Sequence, residues 1–245
     1  MTISLDTGRY TVGMATSPAD LRAAQRLRYE VFAGEMGARL DSPVSGLDAD
    51  RFDAYCDHLI VRDGDEVVGT YRLLPPGRAD RLYSDTEFDL RNLAPIRKGL
   101  VEAGRTCVHP GHRDGAVMAL MWAGIARYMV DGGHQWLAGC CSVPLDDQGT
   151  VAAAVAERVP LGPEEYRVMP RDPWRPDRRA TERADRFVPP ALLRGYLRLG
   201  SWVCGAPAHD RDFGTADFFL LLSMARVNQR YLRYFLGEAA VGAAR

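Results

Sequence analysis

The sequence predicts an α/β domain in which helices flank a mixed β-sheet. Alternating apolar residues on either side of the turn Asp63-Gly64-Asp65 are typical of an antiparallel hairpin. Between residues 100 and 141, an apolar strand, an apolar helix and a second apolar strand follow one another, which implies a right-handed crossover between parallel strands. Of the 245 residues, 47% are apolar, so the chain can bury a core and intrinsic disorder is excluded.

Strands and helices are predicted along the whole chain from the spacing of apolar residues and from Gly, Pro and Asp at the breaks. The predicted strands are residues 10–15, 58–62, 67–74, 100–108, 136–141, 202–204 and 215–222. The predicted helices are residues 17–32, 114–130, 189–198 and 226–235. Because strands and helices are intermixed, we assign all of them to one domain.

The first helix has a clear start signal. Ser17 is placed at the N-cap, Pro18 lies in the first turn, and Asp20 follows three residues after the cap. Arg28 comes seven residues after Leu21, so it lies near the apolar face that the helix turns inward. The helix therefore carries a charged side chain toward the core.

Residues 160–190 interrupt the pattern of strands and helices. Seven of the 15 prolines lie in this range together with a run of arginines, which excludes long regular elements and predicts a surface excursion. The sequence shows no internal repeat and no flexible linker. We therefore predict a single domain over residues 1–245, with a Pro- and Arg-rich excursion at about 160–190.

The near-neutral charge excludes a general nucleic-acid-binding protein. The formal net charge is −1, whereas such proteins are strongly basic. Of the 31 basic residues, only Lys98 is a lysine and all the others are arginines. Codon bias in a GC-rich genome is one explanation of this ratio. The other explanation is that the protein requires planar guanidinium groups to bind carboxylates or phosphates.

No segment predicts secretion, membrane insertion or metal binding. Residues 1–10 lack a basic start followed by a long apolar stretch, and no apolar stretch reaches the roughly 18 residues that a membrane span needs. The five cysteines form no CxxC pair and lie near no His at ligand spacing, so Cys107, Cys140 and Cys141 are interpreted as core residues. We expect a cytoplasmic protein without a metal or a redox cofactor.

Charged residues recur inside otherwise apolar segments. Six of them are Arg28, Asp50, Asp53, Arg72, Glu102 and Arg105. Buried charges are costly unless they are paired. The set is therefore either an ion-pair network that holds the strands together or a polar functional site. The chain has no GxSxG, P-loop or GxGxxG motif, so hydrolase, NTPase and dinucleotide-binding functions are not favoured.

Several of these residues stand in segments that resemble a known superfamily. Segments 27–32 (LRYEVF), 50–53 (DRFD), 71–74 (YRLL) and 102–105 (EAGR) are similar to the acyl-homoserine-lactone synthases, which have the N-acetyltransferase-like (GNAT) fold. Segments 102–110 (EAGRTCVHP) and 189–217 (PPALLRGYLRLGSWVCGAPAHDRDFGTAD) resemble more specifically the ornithine N-alpha-acyltransferases, often labelled hemolysin-like. The resemblance covers about residues 27–235.

The resemblance implies a fold and an activity. The fold is a GNAT-like (acyl-CoA N-acyltransferase) α/β fold with a mixed, mostly antiparallel central sheet flanked by helices. The activity is transfer of a long-chain, 3-hydroxylated acyl group to the α-amine of an amino acid, with L-ornithine expected, as the first step of bacterial ornithine-lipid synthesis. Acyl carrier protein is the expected partner. The donor is acyl-phosphopantetheine on that carrier or acyl-CoA, and no cofactor is implied.

The chemistry assigns roles to the charged residues. The ammonium of an amino acid must lose a proton before it attacks a thioester, and Glu102 is the candidate base, directly or through a water. A backbone N–H at the point where central strands separate can hold the oxyanion. Arg105 or Arg72, with Arg28 nearby, suits the substrate carboxylate. Asp50 or Asp53 can meet a side-chain ammonium.

The donor side departs from the acetyl-CoA pattern. That pattern places a basic residue, then glycines at +3 and +5, before a helix whose amides bind pyrophosphate. Here Arg113 is followed by DGAVM, so both glycines are absent and an acid intervenes. We assign Val108, Arg113 and Gly115 to the donor, with Arg113 meeting a single phosphate such as that of phosphopantetheine.

Other interpretations stay open at this stage. The first half alone permits an acyl-homoserine-lactone synthase, and lysine, glutamine or glycine can replace ornithine as the acceptor. A membrane-active or carrier-binding protein is the non-enzymatic alternative. Asp217 is expected to be structural or to shape the substrate site. The segment from Arg171 to Arg198 contains eight arginines and four acidic residues, so it has an excess of positive charge. This excess predicts a docking surface for an acidic carrier protein or for lipid headgroups at the inner face of the membrane.

Overall fold

One large sheet organises the part of the chain that is described. The computed structural model describes residues 4–6, 8–176 and 187–236. The strands are β1 (Ser4–Asp6), β2 (Tyr10–Met14), β3 (Asp57–Asp63), β4 (Glu66–Leu74), β5 (Phe88–Asp89), β6 (Leu100–Val108), β7 (Trp136–Pro144), β8 (Met169–Pro170), β9 (Trp202–Val203), β10 (Ala208–Asp210) and β11 (Thr215–Ser223). The α-helices are α1 (Pro18–Tyr29), α2 (Ala116–Asp131), α3 (Thr150–Arg158), α4 (Ala191–Leu199) and α5 (Gln229–Leu236).

The sheet is mixed and mostly antiparallel, as the sequence predicts. Its strand order is β1-β2-β3-β4-β6-β7-β11-β10, with β9 also paired to β11, while β5 and β8 form a separate two-stranded sheet. Each pair of neighbours is antiparallel except β6 and β7, which are parallel and connected through α2. The predicted crossover is therefore confirmed, and it lies in the middle of the sheet.

Helices cover both faces of this sheet. Successive side chains of a strand point to opposite faces. Accordingly, Leu59 of β3 packs in the core cluster that contains Val117 and Met121 of α2, whereas its neighbour Ile60 packs with Leu27 of α1. The apolar surface of the sheet is thus buried on both sides.

The predicted start of α1 is confirmed in detail. The Ser17 hydroxyl accepts a hydrogen bond from the Asp20 N–H at 3.1 Å, and the Asp20 carboxylate accepts one from the Ser17 N–H at 3.0 Å. This reciprocal pair satisfies amide groups that the helix itself cannot. Arg28 faces inward and is fully buried, as the spacing predicted.

Some element boundaries differ from the prediction. The first helix ends at Tyr29 and continues as a π-helical turn, Glu30–Glu35. The last helix begins at Gln229, because Met224–Arg226 form a 3₁₀ turn. Helix α3 is absent from the prediction because Gly149 precedes it with a φ of +74°, so no side-chain cap signals its start.

Strands β6 and β7 separate after a short paired segment. They pair only from Leu100 to Glu102 on β6, although both strands continue well beyond. Further along β6, one extra residue is inserted opposite β4, and Arg105 there has a φ of +51°. Such bulges bend a strand and re-aim its side chains. The middle of the sheet therefore opens into a cleft.

The Pro- and Arg-rich excursion contains only short elements over its described part. These are a 3₁₀ turn, Glu164–Tyr166, and strand β8, which pairs with β5. The arginines expected to form much of the docking surface, Arg178, Arg179, Arg183 and Arg186, lie outside the described residues. Over the described ranges, no helix has the length and apolar character needed to cross a bilayer.

The backbone of β6 lies so close to Gly139 of β7 that a larger residue there should lower the stability of the protein. A Cβ atom at this position would stand 2.1 Å from the carbonyl oxygen of Ala103, whereas one at Gly104 would meet nothing within 4 Å. We expect Gly139→Ala to lower the free energy of unfolding by about 1–3 kcal/mol, because the backbone of β6 must move. Gly104→Ala is the matched control and should change it by less than about 1 kcal/mol. Chemical denaturation measures both, and equal stabilities would contradict the prediction.

Candidate active site

A buried ion-pair network ties α1 to the segment before β3. The Arg28 guanidinium lies 2.7 Å from the Asp53 carboxylate and 3.0 Å from that of Asp48. It also donates a hydrogen bond to the Asp48 carbonyl oxygen. Arg28 is fully buried, so these groups replace all of its hydration.

Asp53 is shared between two arginines. In addition to Arg28, the Nη1 of Arg72 lies 2.9 Å from Asp53 and 2.7 Å from Asp50, and Gln25 donates to the Asp53 carboxylate at 2.8 Å. Burial alone would raise the pKa of Asp53, but the hydrogen bonds and charges of Arg28 and Arg72 outweigh it and hold the pKa well below its usual range. Asp53 is thus a carboxylate at every physiological pH.

Arg105 connects this network to open space. Its guanidinium lies 3.2 Å from Asp48 and 3.6 Å from Asp50, longer separations than those of Arg72. The same group stacks over the rings of Tyr83 and Phe213, at 4.9 and 5.2 Å from the ring centroids. Arg105 therefore keeps hydrogen-bonding capacity for a ligand.

Glu102 stands at the last paired position before β6 and β7 separate. Its carboxylate accepts hydrogen bonds from the backbone N–H groups of Tyr83 and Ser84, at 2.6 and 2.8 Å, and from the Ser84 hydroxyl at 2.5 Å. Burial raises the pKa of Glu102, and the hydrogen bonds and Arg72 offset only part of that effect. A carboxylate held in this way has a single orientation and an increased basicity.

Two cavities meet at this cleft. The inner cavity, of about 210 Å³, lies between the separated strands. The outer cavity, of about 840 Å³, is more open and is bordered by the segments at 39–52 and 209–213. Both cavities are lined by Phe52, Tyr83, Arg105, Asp210 and Phe213. The two spaces are therefore neighbours that share one wall.

The predicted substrate residues fall into two groups. Glu102 and Arg72 line the inner cavity, Asp50 lines the outer one, and Arg105 lines both. Arg28 and Asp53 line neither cavity. Their charges balance each other within the ion-pair network, which lies behind the residues that form the cavity wall. We therefore correct their assignment from substrate contact to positioning of the wall.

The predicted donor residues lie together at the far end of β6, away from both cavities. The Nε of Arg113 donates to the Val108 carbonyl oxygen at 3.1 Å, and its two Nη groups donate to Glu35 at 2.6 and 2.7 Å. Gly115 precedes α2 with a φ of +97°. Arg113 is thus occupied by a bidentate ion pair, and a donor phosphate that reaches it must compete with Glu35.

Several residues of the site were missed by sequence reasoning. Tyr83 and Ser84 belong to an irregular segment in which no pattern marks them. Cys140 was interpreted as a core residue but lines the inner cavity. It forms a cluster with Glu87 and Asp217, in which the Cys140 sulfur and one carboxylate oxygen of each acid lie within 4.8 Å of one another. Asp217 is 3% exposed and lines the inner cavity, so the end of segment 189–217 contributes to the site.

The sequence is similar to known proteins over nearly its whole length. Residues 27–123 match a family model described as an acetyltransferase (GNAT) domain. The chain is 36% identical over 248 residues to the L-ornithine N(alpha)-acyltransferase of Rhodobacter capsulatus, an alignment that covers 92% of this chain and 94% of that protein. It is 34% identical over 260 residues to the protein of the same name from Brucella abortus, covering 95% and 90%.

Solved structures share the architecture at low sequence identity. An N-acyl amino acid synthase from uncultured soil microbes is 13% identical, with a TM-score of 0.55, and the match covers 95% of this chain and 99% of that one. A CoA-dependent acyl-homoserine lactone synthase is 17% identical, with a TM-score of 0.51, covering 89% and 81%. These likenesses concern the fold alone, and with the domain match they confirm the predicted GNAT-like fold.

The ion-pair network predicts a large effect of Asp53 on stability. Asp53→Asn leaves the guanidinium groups of Arg28 and Arg72 buried with too little negative charge, and we expect a loss of about 3–5 kcal/mol. The control is Asp131→Asn, which breaks an exposed pair with Arg127 and should cost less than about 1 kcal/mol. Thermal unfolding at neutral pH compares the two. A mild effect of Asp53→Asn would refute the structural role.

Proposed function

The chain belongs to the L-ornithine N(alpha)-acyltransferase family, and on that premise we propose that it transfers a long-chain 3-hydroxyacyl group from acyl carrier protein to the α-amine of L-ornithine. This reaction is the first step of ornithine-lipid synthesis. The observation that carries the proposal is the position of Glu102, a buried, oriented carboxylate on the inner cavity where β6 and β7 separate. That is where an amine and a thioester can be brought together.

Glu102 is proposed as the general base. It takes a proton from the α-ammonium, directly or through one water, so that the amine nitrogen has a free electron pair. The nitrogen then attacks the thioester carbonyl carbon. As the tetrahedral intermediate collapses, its nitrogen loses a second proton and the C–S bond breaks, which leaves a neutral amide and the phosphopantetheine thiolate. That thiolate takes up a proton to become the thiol.

The strand opening supports stabilisation of the oxyanion. From Ala103 onward, the edge of β6 that faces β7 has no strand partner, and Gly104 and Arg105 of this edge line the inner cavity. Backbone N–H groups that are free of a partner strand can donate to a developing negative charge without reorganising. The bulge at Arg105 turns the backbone at the same place.

Arg105 is the proposed partner of the acceptor's α-carboxylate. Arg72 is held by Asp50 and Asp53 at 2.7 and 2.9 Å through Nη1, so its charge is already balanced by two carboxylates. Arg105 has longer ion pairs and lines both cavities. A planar guanidinium can bind a carboxylate through two parallel hydrogen bonds. The acceptor then lies with its carboxylate at the shared wall and its α-amine toward Glu102.

A carrier-bound donor fits the far end of β6 better than a tight pyrophosphate cradle. The loop before α2 lacks both the +3 and the +5 glycine of such a cradle, and Arg113 is paired with Glu35. Inside the site, the Thr106 hydroxyl is buried without a hydrogen-bond partner of regular geometry and lines the inner cavity. It is a suitable group to bind the 3-hydroxyl of the acyl chain.

The direct test is a transfer assay with purified protein. Incubation with 3-hydroxyacyl carrier protein and a panel of amino acids should give Nα-acylornithine, identified by mass spectrometry. Parallel reactions contain acyl-CoA as the donor or S-adenosylmethionine as the acceptor. Product from lysine, glutamine or glycine but not ornithine would overturn the acceptor, and a homoserine lactone would overturn the reaction.

Glu102→Gln should lower kcat/KM roughly 10²- to 10⁴-fold, the usual contribution of a general base. For the wild type, kcat/KM should rise with pH through a pKa above the usual Glu value, because the base acts as a carboxylate and burial raises its pKa. That dependence should vanish in the variant. The exposed Glu66→Gln is the control, and melting temperatures show that both proteins fold. Near-normal activity of Glu102→Gln would remove it as the base.

Thr106→Val should reduce the preference for a 3-hydroxylated donor. Loss of one neutral hydrogen bond corresponds to roughly a threefold to tenfold fall in the ratio of kcat/KM for 3-hydroxyacyl and unsubstituted acyl carrier proteins. Thr11→Val, at an exposed position of β2, is the control. An unchanged ratio would show that Thr106 does not bind the hydroxyl.

A further inference from the structure

A half-buried acid, Glu87, and a buried acid, Asp217, lie close together where the two cavities adjoin. Glu87 lines the outer cavity, Asp217 lines the inner one, and their carboxylate oxygens lie within 4.8 Å of each other and of the Cys140 sulfur. They come from distant parts of the chain, the segment before β5 and strand β11. The fold therefore brings two carboxyl groups together beside the reaction centre.

Within the described part of the chain, Glu87 forms no ion pair, and the strongest influences on its pKa come from burial, a thiol, a phenol and other acids. Both of its carboxylate oxygens are buried, and neither has a hydrogen-bond partner of regular geometry. By contrast, Asp50 pairs with Arg72, and Asp210 accepts hydrogen bonds from two backbone N–H groups. A buried acid without a partner is costly, so such a group in a cavity wall indicates that a cation belongs there.

A polar path joins this pair to the proposed base. The Glu102 carboxylate lies 2.5 Å from the Ser84 hydroxyl, which lies 3.3 Å from the Cys140 sulfur. Cys140 in turn belongs to the cluster with Glu87 and Asp217. A molecule with its α-amine at Glu102 and a second amine on a short aminopropyl chain can therefore reach both ends of the path.

We propose that Glu87 and Asp217 bind the side-chain ammonium of the acceptor and make the site selective for diamino acids. This inference rests on the proposed function, since it names how that site recognises its acceptor. Asp50 and Asp53, the acids first expected to meet this ammonium, are already paired with arginines. The geometry therefore assigns the ammonium site to Glu87 and Asp217 instead.

The raised pKa values of Glu87 and Asp217 support a cation site. Burial raises the pKa of both carboxyl groups, and the facing charge of Asp217 raises that of Glu87 further. The next strongest influences on the pKa of Glu87 come from Cys140, Asp210 and Tyr83. None of them is a cation, so the pair of acids holds a proton that an ammonium group can replace on binding.

The test compares ornithine with norvaline, which has the same carbon chain but no side-chain amine. With 3-hydroxyacyl carrier protein as donor, wild-type kcat/KM should favour ornithine strongly. Glu87→Gln should reduce the ornithine-to-norvaline ratio roughly 10- to 100-fold, the value of a hydrogen bond to a charged group, mostly through KM for ornithine. Asp217→Asn should reduce it in the same direction. Glu157→Gln, exposed on α3, is the control that keeps the ratio.

Stability separates binding from a structural role. Because Glu87 forms no ion pair with the described residues, Glu87→Gln should leave the melting temperature unchanged or raise it, whereas an acid that holds the fold together would lower it on replacement. Titration calorimetry without a donor adds a readout that is independent of catalysis. Ornithine should bind the wild type roughly 10- to 100-fold more tightly than Glu87→Gln, and norvaline should show no such difference.

The outcomes distinguish this inference from the proposed function. If wild type acylates ornithine but Glu87→Gln keeps its selectivity, the ammonium site is wrong and the function stands. If wild type acylates no amino acid, the function is wrong, and ornithine binding that is insensitive to Glu87→Gln removes the site as well. Loss of ornithine selectivity on treatment with EDTA, restored by Zn²⁺, would overturn the ammonium site in favour of a metal bound by the same three residues.

Discussion

The Asp53 carboxylate, shared between Arg28 and Arg72, is the interaction on which the site depends. It joins α1, the segment before β3 and strand β4, three elements that are far apart along the chain. Since each buried charge is stable only with its partner, the segment that carries Asp50 and Phe52 is held against the sheet and forms a wall of the cavities. The network is thus enclosed at Arg28 and Asp53, and it reaches the cavities at Arg105.

A second constraint acts at the centre of the sheet. Strands β6 and β7 run parallel and pair only as far as Glu102, and the bulge at Arg105 lies just beyond the point where they separate. The same separation leaves a strand edge without a partner, opens the inner cavity and places a carboxylate at its apex. A backbone irregularity and the cavity that holds Glu102 therefore occur at the same place, and bulges are often found beside active sites.

Charged residues in apolar segments predicted the network but not the role of each member. Arg28 and Asp53 have the same signature as Arg105, yet the first two are enclosed and the third faces the cavities. Spacing along a strand or helix says which face a residue occupies, and it does not say what covers that face. Tyr83, Ser84 and Glu87 carried no signal at all, because they lie in 3₁₀ and irregular backbone without a period.

By itself, the sequence determined the order of the main strands and helices, the inward position of Arg28, the parallel crossover and the family to which the chain belongs. These follow from local periodicity, capping and motifs, which act between neighbours in the chain. The tertiary structure alone decided which acids are paired and which are not, because pairing depends on segments that meet only in the folded sheet. Glu87 lies directly before β5 and Asp217 lies in β11, far along the chain. Only folding brings the two acids close together.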